Sequence, residues 1–279
     1  MAVRIVTDST SDLTKCQAQE LGVDVMPLKV MFGEDEYIDG VTLSASGFFE
    51  LLSQSDALPR TCQVTPKAFE RKFREYIDAG DEIIVITIAS LMSGTCQSAV
   101  IAKELLHSED IYVIDSETVT FGLRNLVVLA AAMRDEGKSA GEIASIIEEK
   151  KKNVRLFAVI DTLKYLKMGG RLSSTAAIAG SLLGIKPIIQ VRDGRIDVVE
   201  KARGVKKAYE ELLSLVKGES IDDSLPLCFG HTNAPEMGRE LIKRCTPLLN
   251  GDGYPLCDIG PTVGVHVGPG CTGISFFVK

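Results

Sequence analysis

The chain has 279 residues, a formal net charge of −7, and 45% hydrophobic and 25% charged residues. This is the composition of a globular protein, and a single hydrophobic core stops growing near this length, so two domains are expected. The negative charge argues against binding to nucleic acid or to an anionic membrane surface, because both are bound through concentrated Lys and Arg. The longest apolar stretch, residues 176–189, contains Ser181 and Lys186 and is too short for stable membrane insertion.

In the first half of the chain, short β-branched segments alternate with segments of helical periodicity. This alternation is typical of a parallel sheet covered by helices. Pro66 suits a first helical turn, and Gly80 and Gly137 suit positions just after helix ends. Strands are predicted at residues 3–7, 23–31, 82–88 and 111–114, and helices at 66–79, 98–106, 123–136 and 139–152.

A second unit is predicted from residue 154 onward. The turn Asp193-Gly194 between two strand-like segments is typical of a β-hairpin, so the second sheet is expected to be mixed. The predicted fold is therefore α/β with two domains, 1–153 with a mainly parallel sheet and flanking helices, and 154–279 with a mixed sheet. Strands are predicted here at 155–160, 187–191, 195–201, 225–230 and 273–278, and helices at 205–217 and 235–248.

The two predicted domains have no Gly/Ser-rich linker between them. They should pack closely, and a ligand is expected in the cleft at their junction.

The seven cysteines are scattered, without a CxxC pair or metal-ligand spacing, so no metal site is predicted. An odd number of dispersed thiols fits a reducing compartment. The chain opens on a strand-like segment, residues 3–6, instead of a secretory signal. We therefore expect a cytoplasmic protein that needs neither a metal nor a cofactor.

Polar motifs follow three of the predicted strands. Residues 93–99, SGTCQSA, precede a helix, so a glycine, hydroxyls and free backbone N–H groups there would hold a carboxylate or small anion. The alternative is an ordinary N-cap at which nothing binds. Residues 8–12 and 115–118 follow two other strands and share the edge at which such sheets bind ligands. Each of these two is equally compatible with a helix cap or an Asx turn.

Other candidates lie outside this edge. Thr61 supplies a hydroxyl before a helix, Arg171 follows two glycines, and His266 opens a turn-rich segment. Of the remaining histidines, His107 is predicted to cap the end of a helix, whereas His231 lies in a strand-to-helix loop.

Six motifs in order resemble those of the DegV family of bacterial fatty-acid-binding proteins, and the resemblance covers residues 3–278. It implies a two-domain α/β protein that is not an enzyme and that holds one long-chain fatty acid, with the carboxyl group at the domain junction. It also implies an ATP-dependent fatty acid kinase partner, which phosphorylates the carboxylate to an acyl phosphate for phospholipid synthesis. The motifs are IVTDSTSDL at 5–13, RTCQVTP at 60–66, SGTCQSA at 93–99, YLKMGGRLS at 165–173, GIKPII at 184–189 and HVGPG at 266–270.

The resemblance also implies roles for individual residues by position. Thr61 and Ser93 match the hydroxyls that hydrogen-bond the carboxylate, and Arg203 and His266 match polar residues that complete the network near the head group. Arg171 matches a family arginine near the domain junction.

Gly94 and Thr95 belong to the same motif as Ser93 and are further binding candidates. Two residues depart from the family pattern. Cys62 stands in place of a usual Ser, and Cys96 in place of a frequent aromatic residue. The first should weaken a backbone turn and the second should loosen packing near the head group, but neither removes a proposed ligand contact.

The chemistry of these residues agrees with the resemblance. A buried carboxylate needs several hydrogen bonds or a cation, and Ser93, Thr61 and a nearby Arg or His supply them. The acyl chain of palmitate or oleate then needs a dry apolar tunnel, although ordinary core packing is the alternative for every apolar candidate. The predicted tunnel residues are Ile178, Leu182, Leu183, Ile185, Ile188, Ile189, Phe157, Val159, Phe276 and Phe277.

A serine hydrolase of acyl esters is the alternative function. Ser93 and His266 would form a triad with Asp8, Asp115 or Asp161. The chain contains no GxSxG elbow, phosphate-binding loop or kinase signature. A binding protein without catalytic residues is therefore the preferred prediction.

Overall fold

The computed structural model describes residues 2–172 and 184–279. Three predicted tunnel residues, Ile178, Leu182 and Leu183, lie outside the described residues. The strands are β1 (Val3–Asp8), β2 (Val23–Met26), β3 (Lys29–Phe32), β4 (Asp35–Ile38), β5 (Arg60–Cys62), β6 (Glu82–Thr87), β7 (Ile111–Asp115), β8 (Val154–Val159), β9 (Ile185–Arg192), β10 (Arg195–Arg203), β11 (Cys228–His231), β12 (Leu256–Asp258) and β13 (Thr272–Phe277). The α-helices are α1 (Lys15–Glu20), α2 (Ala45–Gln54), α3 (Pro66–Ile77), α4 (Thr95–Leu106), α5 (Phe121–Asp135), α6 (Ala140–Lys150), α7 (Lys164–Met168), α8 (Val205–Lys217), α9 (Pro235–Cys245) and α10 (Pro261–Val267).

The strands form three sheets. A parallel sheet has the order β2-β1-β6-β7, and a mixed sheet has the order β10-β9-β8-β13-β11-β12. Only the β11–β12 pair of the mixed sheet is parallel. A small antiparallel sheet has the order β4-β3-β5. The predicted α/β fold, with one parallel and one mixed sheet, is confirmed.

The predicted domain boundary coincides with the start of the mixed sheet. All strands of that sheet begin at or after Val154, and all other strands precede it. Helix α5 nevertheless packs against strands of both large sheets, and most of its residues are buried. The division into domains 1–153 and 154–279 stays a prediction.

The predicted hairpin in the mixed sheet is confirmed. Arg192 of β9 pairs with Arg195 of β10, and the two residues between them, Asp193 and Gly194, have φ values of 51° and 72°. Positive φ at both central residues is the geometry of a type I′ turn.

The single strand predicted at residues 23–31 is wrong. The segment divides into β2, which pairs with β1, and β3, which pairs with β4 and β5. Pro27 lies between the two strands, and it has no N–H for a strand ladder. At Leu28 the backbone N–H is donated to the Ser9 hydroxyl at 3.1 Å instead, so the chain leaves one sheet and enters another.

Two elements that carry candidate residues were not predicted. Thr61 lies in β5, an edge strand that is paired with β3 and precedes α3. His266 lies in the last turn of α10, and the turn-rich part of its segment begins after Val267. No helix within residues 2–172 and 184–279 is long and apolar enough to cross a membrane.

Candidate ligand-binding site

A cavity of about 130 Å³ is lined by residues from both halves of the chain. Its lining is mainly aliphatic, as is usual for sites that hold apolar molecules. The apolar lining residues are Leu28, Ile88, Met92, Val119, Phe121, Leu156, Ala158, Leu166, Ile189, Val191, Ile196, Ile259, Val263, Val267 and Cys271. The polar ones, apart from the glycine Gly94, are Thr61, Gln63, Ser93, Thr120, Arg171, Thr262 and His266.

Thr61 and His266 meet at the cavity. Thr61 Oγ1 lies 3.1 Å from His266 Nε2, and the bond joins β5 to α10. Burial first, and the positive charge of Arg171 second, lower the pKa of His266 to about 4. The imidazole is therefore neutral near pH 7, and its Nδ1 has no hydrogen-bond partner among the described residues.

Ser93 lies in the loop between β6 and α4. Its Oγ accepts a hydrogen bond from the Thr95 N–H at 3.3 Å and lies 2.9 Å from Thr95 Oγ1. Gly94 is the N-cap of α4 and no side chain caps this helix, whereas Ser93 is half-buried and lines the cavity. Thr95 is buried and is not among the lining residues.

Gln63 is a site residue that the sequence analysis missed. Its amide donates to the Gly94 carbonyl at 3.2 Å and to Ser98 Oγ at 2.9 Å, which ties the end of β5 to the start of α4. A Cβ at Gly94 would lie 2.8 Å from Gln63 Cδ, so a larger residue there would displace the Gln63 side chain. The motif at residues 60–66 contained Gln63, but an exposed glutamine has no distinctive pattern.

Arg171 adds a positive charge to the polar residues that line the cavity. Together with Thr61, Gln63, Ser93 and His266 it forms the polar cluster. Its guanidinium donates from Nε to the Met92 carbonyl at 3.2 Å and from Nη1 to the Gly169 carbonyl at 2.5 Å. A Cβ at Gly169 would lie 3.1 Å from His266 Cε1, so the glycine lets the chain pass directly beside the histidine. Arg171 is thereby held against the backbone of Met92, the residue before Ser93, and close enough to His266 for its charge to lower the pKa of the imidazole.

The structure does not bring Arg203 into this cluster. It ends β10, where it pairs with Ile185 and its side chain is exposed. Arg203 is not among the described residues that line the cavity, so its predicted place beside the head group has no support from this position.

Six of the seven predicted tunnel residues that the structure describes do not line this cavity. In β8 the reason is that successive strand residues face opposite sides of a sheet. Leu156 and Ala158 of β8 line the cavity, whereas Phe157 and Val159 pack in a separate core with α8 and α9. Of the predicted set, Ile189 lines the cavity; Ile185, Ile188, Phe157, Val159, Phe276 and Phe277 do not.

The two remaining histidines have structural roles. His107 caps α4 in a left-handed conformation, as predicted. His231 is buried at the end of β11, with Nε2 3.2 Å from Asp258 Oδ1, and it is not among the described residues that line the cavity.

The serine-hydrolase alternative is not supported by this geometry. The hydrogen-bond partner of His266 is Thr61 and not Ser93. The three candidate carboxylates bind elsewhere: Asp8 to Thr10 and the Ile88 N–H, Asp115 to the N–H groups of Ser90 and Glu117, and Asp161 to Lys186. Within the described part of the chain, no group of three His, Cys, Asp or Glu side chains is arranged to hold a metal ion.

A model of the DegV family, described as uncharacterised proteins, matches residues 2–279. The chain belongs to the DegV family. A DegV domain-containing protein of Clostridium acetobutylicum is 38% identical to this DegV chain over 281 residues, which cover 99% of each. The family resemblance seen in the six motifs is therefore confirmed.

Two solved structures share the whole fold of this DegV chain. The DegV family protein of Thermus thermophilus, described by its fatty acid binding, is 28% identical, with a TM-score of 0.92 and full coverage of both chains. The stearic-acid-binding protein of Eubacterium ventriosum is also 28% identical, with a TM-score of 0.89 and coverage of 100% of this chain and 99% of that one.

Proposed function

We propose that this DegV chain binds one long-chain fatty acid in the cavity, with its carboxylate at Thr61, Ser93 and Arg171. The observation that supports this most directly is the composition of the lining. Aliphatic side chains from both halves of the chain surround the space, and Thr61, Gln63, Ser93, Arg171 and His266 line it as well. Thr61 hydrogen-bonds His266, and Gln63 and Arg171 donate to the backbone carbonyls of Gly94 and Met92 on either side of Ser93.

The polar cluster suits a carboxylate rather than a neutral lipid. A buried carboxylate must accept several hydrogen bonds, and bonds from hydroxyl and guanidinium donors satisfy it. Arg171 supplies the positive charge, since His266 is neutral near pH 7 with a pKa of about 4. The five cluster residues are half-buried or exposed, whereas the aliphatic residues are mostly buried, so the carboxylate would lie at the opening and the chain inside.

The acyl chain supplies most of the binding free energy. Each buried CH₂ contributes about 0.8 kcal/mol, so a chain of about fifteen carbons contributes roughly 12 kcal/mol. Association costs at least about 4 kcal/mol in lost translational and rotational freedom. Palmitate or oleate should therefore bind tightly even when the carboxylate contributes little.

We further propose that the protein acts as a carrier in the cytoplasm and presents the bound acid to an ATP-dependent kinase. The DegV resemblance supports this partner. The half-buried position of the carboxylate cluster suits it, because a second protein can reach the group that is phosphorylated. All seven cysteines are free thiols, which suits a reducing compartment.

The decisive experiment measures fatty-acid affinity in variants of the two hydroxyl residues. Thr61→Ala and Ser93→Ala should each weaken binding by about 1 to 3 kcal/mol, because an acceptor oxygen of the carboxylate loses a donor. Titration with a fluorescent fatty acid measures this, and mass spectrometry of an organic extract identifies the acid bound after purification.

Ser90→Ala is the matched control, since Ser90 is exposed in the same loop and is not among the described lining residues. It should bind like the wild type. Unchanged affinity in both hydroxyl variants would contradict the proposed position of the carboxylate.

A further inference from the structure

Thr120 is a cavity-lining residue that the proposed carboxylate site does not use. It lies between Val119 and Phe121, which also line the cavity. Its side chain is buried, with 3% of the residue exposed, and Oγ1 has no hydrogen-bond partner among the described residues. A buried hydroxyl normally has a partner, so this one needs an explanation.

The lack of a hydrogen-bond partner for the Thr120 hydroxyl is more unusual because Thr120 lies at the start of a helix. Thr120 is the N-cap of α5, and its carbonyl accepts the Arg124 N–H at 2.8 Å. A threonine at this position usually turns its hydroxyl back onto the first helical turn. Here the side chain makes no cap hydrogen bond.

The backbone conformation of Thr120 accounts for the missing cap hydrogen bond. Its φ and ψ are 52° and −130°, whereas an N-cap residue usually lies in the β region. A β-branched residue at positive φ is an outlier, and such strained residues concentrate at ligand-binding sites. The strained backbone and the missing cap bond both occur at a residue that lines the cavity.

We propose that Thr120 is a ligand-binding residue whose hydroxyl hydrogen-bonds an oxygen atom of the bound long-chain acid. This inference rests on the proposed fatty-acid binding. Two kinds of oxygen atom in such a ligand can hydrogen-bond this hydroxyl. One is a carboxyl oxygen, and the other is the oxygen of a hydroxyl or oxo group on the acyl chain. Thr120 is buried whereas Thr61, Ser93 and Arg171 are half-buried, which favours an oxygen on the chain.

Thr120→Val tests the inference because valine keeps the shape and the β-branch and removes only the hydroxyl. Thr118→Val is the matched control, since Thr118 Oγ1 is also buried without a partner among the described residues but does not appear in the lining. Each protein is titrated at full length with palmitate and with 10-hydroxystearate by displacement of a fluorescent fatty acid. Thermal unfolding of the ligand-free proteins shows that each variant is folded.

The ligand-free Thr120→Val protein should melt at or above the wild-type temperature, because a buried unpaired hydroxyl has been removed. Its affinity should nevertheless fall roughly 5- to 100-fold for at least one acid. A loss for both acids assigns the contact to the carboxyl group, and a loss for the hydroxy acid alone assigns it to the chain.

Two results would overturn the role of Thr120. One is unchanged or higher affinity of Thr120→Val for both acids, and the other is an equal loss in Thr118→Val. These results differ from failure of the proposed function itself, in which the wild type shows no saturable binding of either acid.

Discussion

Asp39 shows how a single buried carboxyl makes the stability of this DegV protein depend on pH. Its Oδ2 accepts hydrogen bonds from the Ser9 hydroxyl at 3.0 Å and from the Thr262 N–H at 3.3 Å. Burial outweighs these bonds and raises the pKa of Asp39 from 3.8 to about 6. The native state therefore keeps a proton that the unfolded chain has lost between these pH values, so this group lowers stability as the pH rises through them.

Asp39→Asn should remove that dependence, because asparagine resembles the protonated carboxyl. Relative to the wild type, the variant should gain up to roughly 3 kcal/mol in the free energy of unfolding between about pH 4 and pH 7. Urea unfolding of both proteins across this range measures the difference. A difference that stays constant with pH would show that Asp39 does not titrate there.

At the level of elements, α10 links the small antiparallel sheet to the candidate site. Its glycine, Gly264, packs directly against α2, and a Cβ there would lie 2.7 Å from Phe48 Cε1 and 3.2 Å from Phe49 Cζ. Gly264→Ala should push α10 away from α2 and displace His266 from Thr61. We expect a loss of about 1 to 3 kcal/mol in the free energy of unfolding together with weaker fatty-acid binding, measured by urea unfolding and by titration.

Gly141→Ala is the control for that substitution. Gly141 is also helical, but a Cβ there would make only ordinary contacts with the Tyr112 side chain, the nearest with its hydroxyl at 3.4 Å. Since alanine has the higher helix propensity, this variant should be as stable as the wild type or more stable. Equal effects of the two substitutions would mean that close packing of α10 on α2 does not position the site.

The elements also show what the sequence could and could not predict. The alternation of strands and helices and the Asp193-Gly194 hairpin follow from local periodicity and turn chemistry, and both were predicted correctly. The residues that line the cavity were not predicted correctly. Both faces of β8 carry apolar residues, so the sequence shows no alternation that would indicate that Ala158 faces the cavity and Phe157 faces away from it. Thr120 was missed for a different reason, since its backbone conformation is imposed by the folded structure around it.

On the scale of the whole molecule, the candidate site requires both halves of the chain. Thr61 and Ser93 precede the mixed sheet, whereas Arg171 and His266 belong to the half that forms it. Phe121 of α5 also connects the halves, because a Cβ at Gly273 of β13 would lie 2.8 Å from its Cζ. A bound fatty acid would therefore contact both halves, and it should stabilise the molecule as a unit.

Ligand binding should thus raise the temperature of one cooperative unfolding transition. At a free palmitate concentration one hundred times the dissociation constant, the native state should gain about 2.7 kcal/mol. Methyl palmitate is the control, because it keeps the acyl chain but lacks the charge that Arg171 attracts, and it should stabilise the protein less. Differential scanning calorimetry with each ligand measures both effects. Two separate transitions, of which palmitate shifts only one, would mean that a single half of the chain holds the ligand, contrary to the shared lining of the cavity.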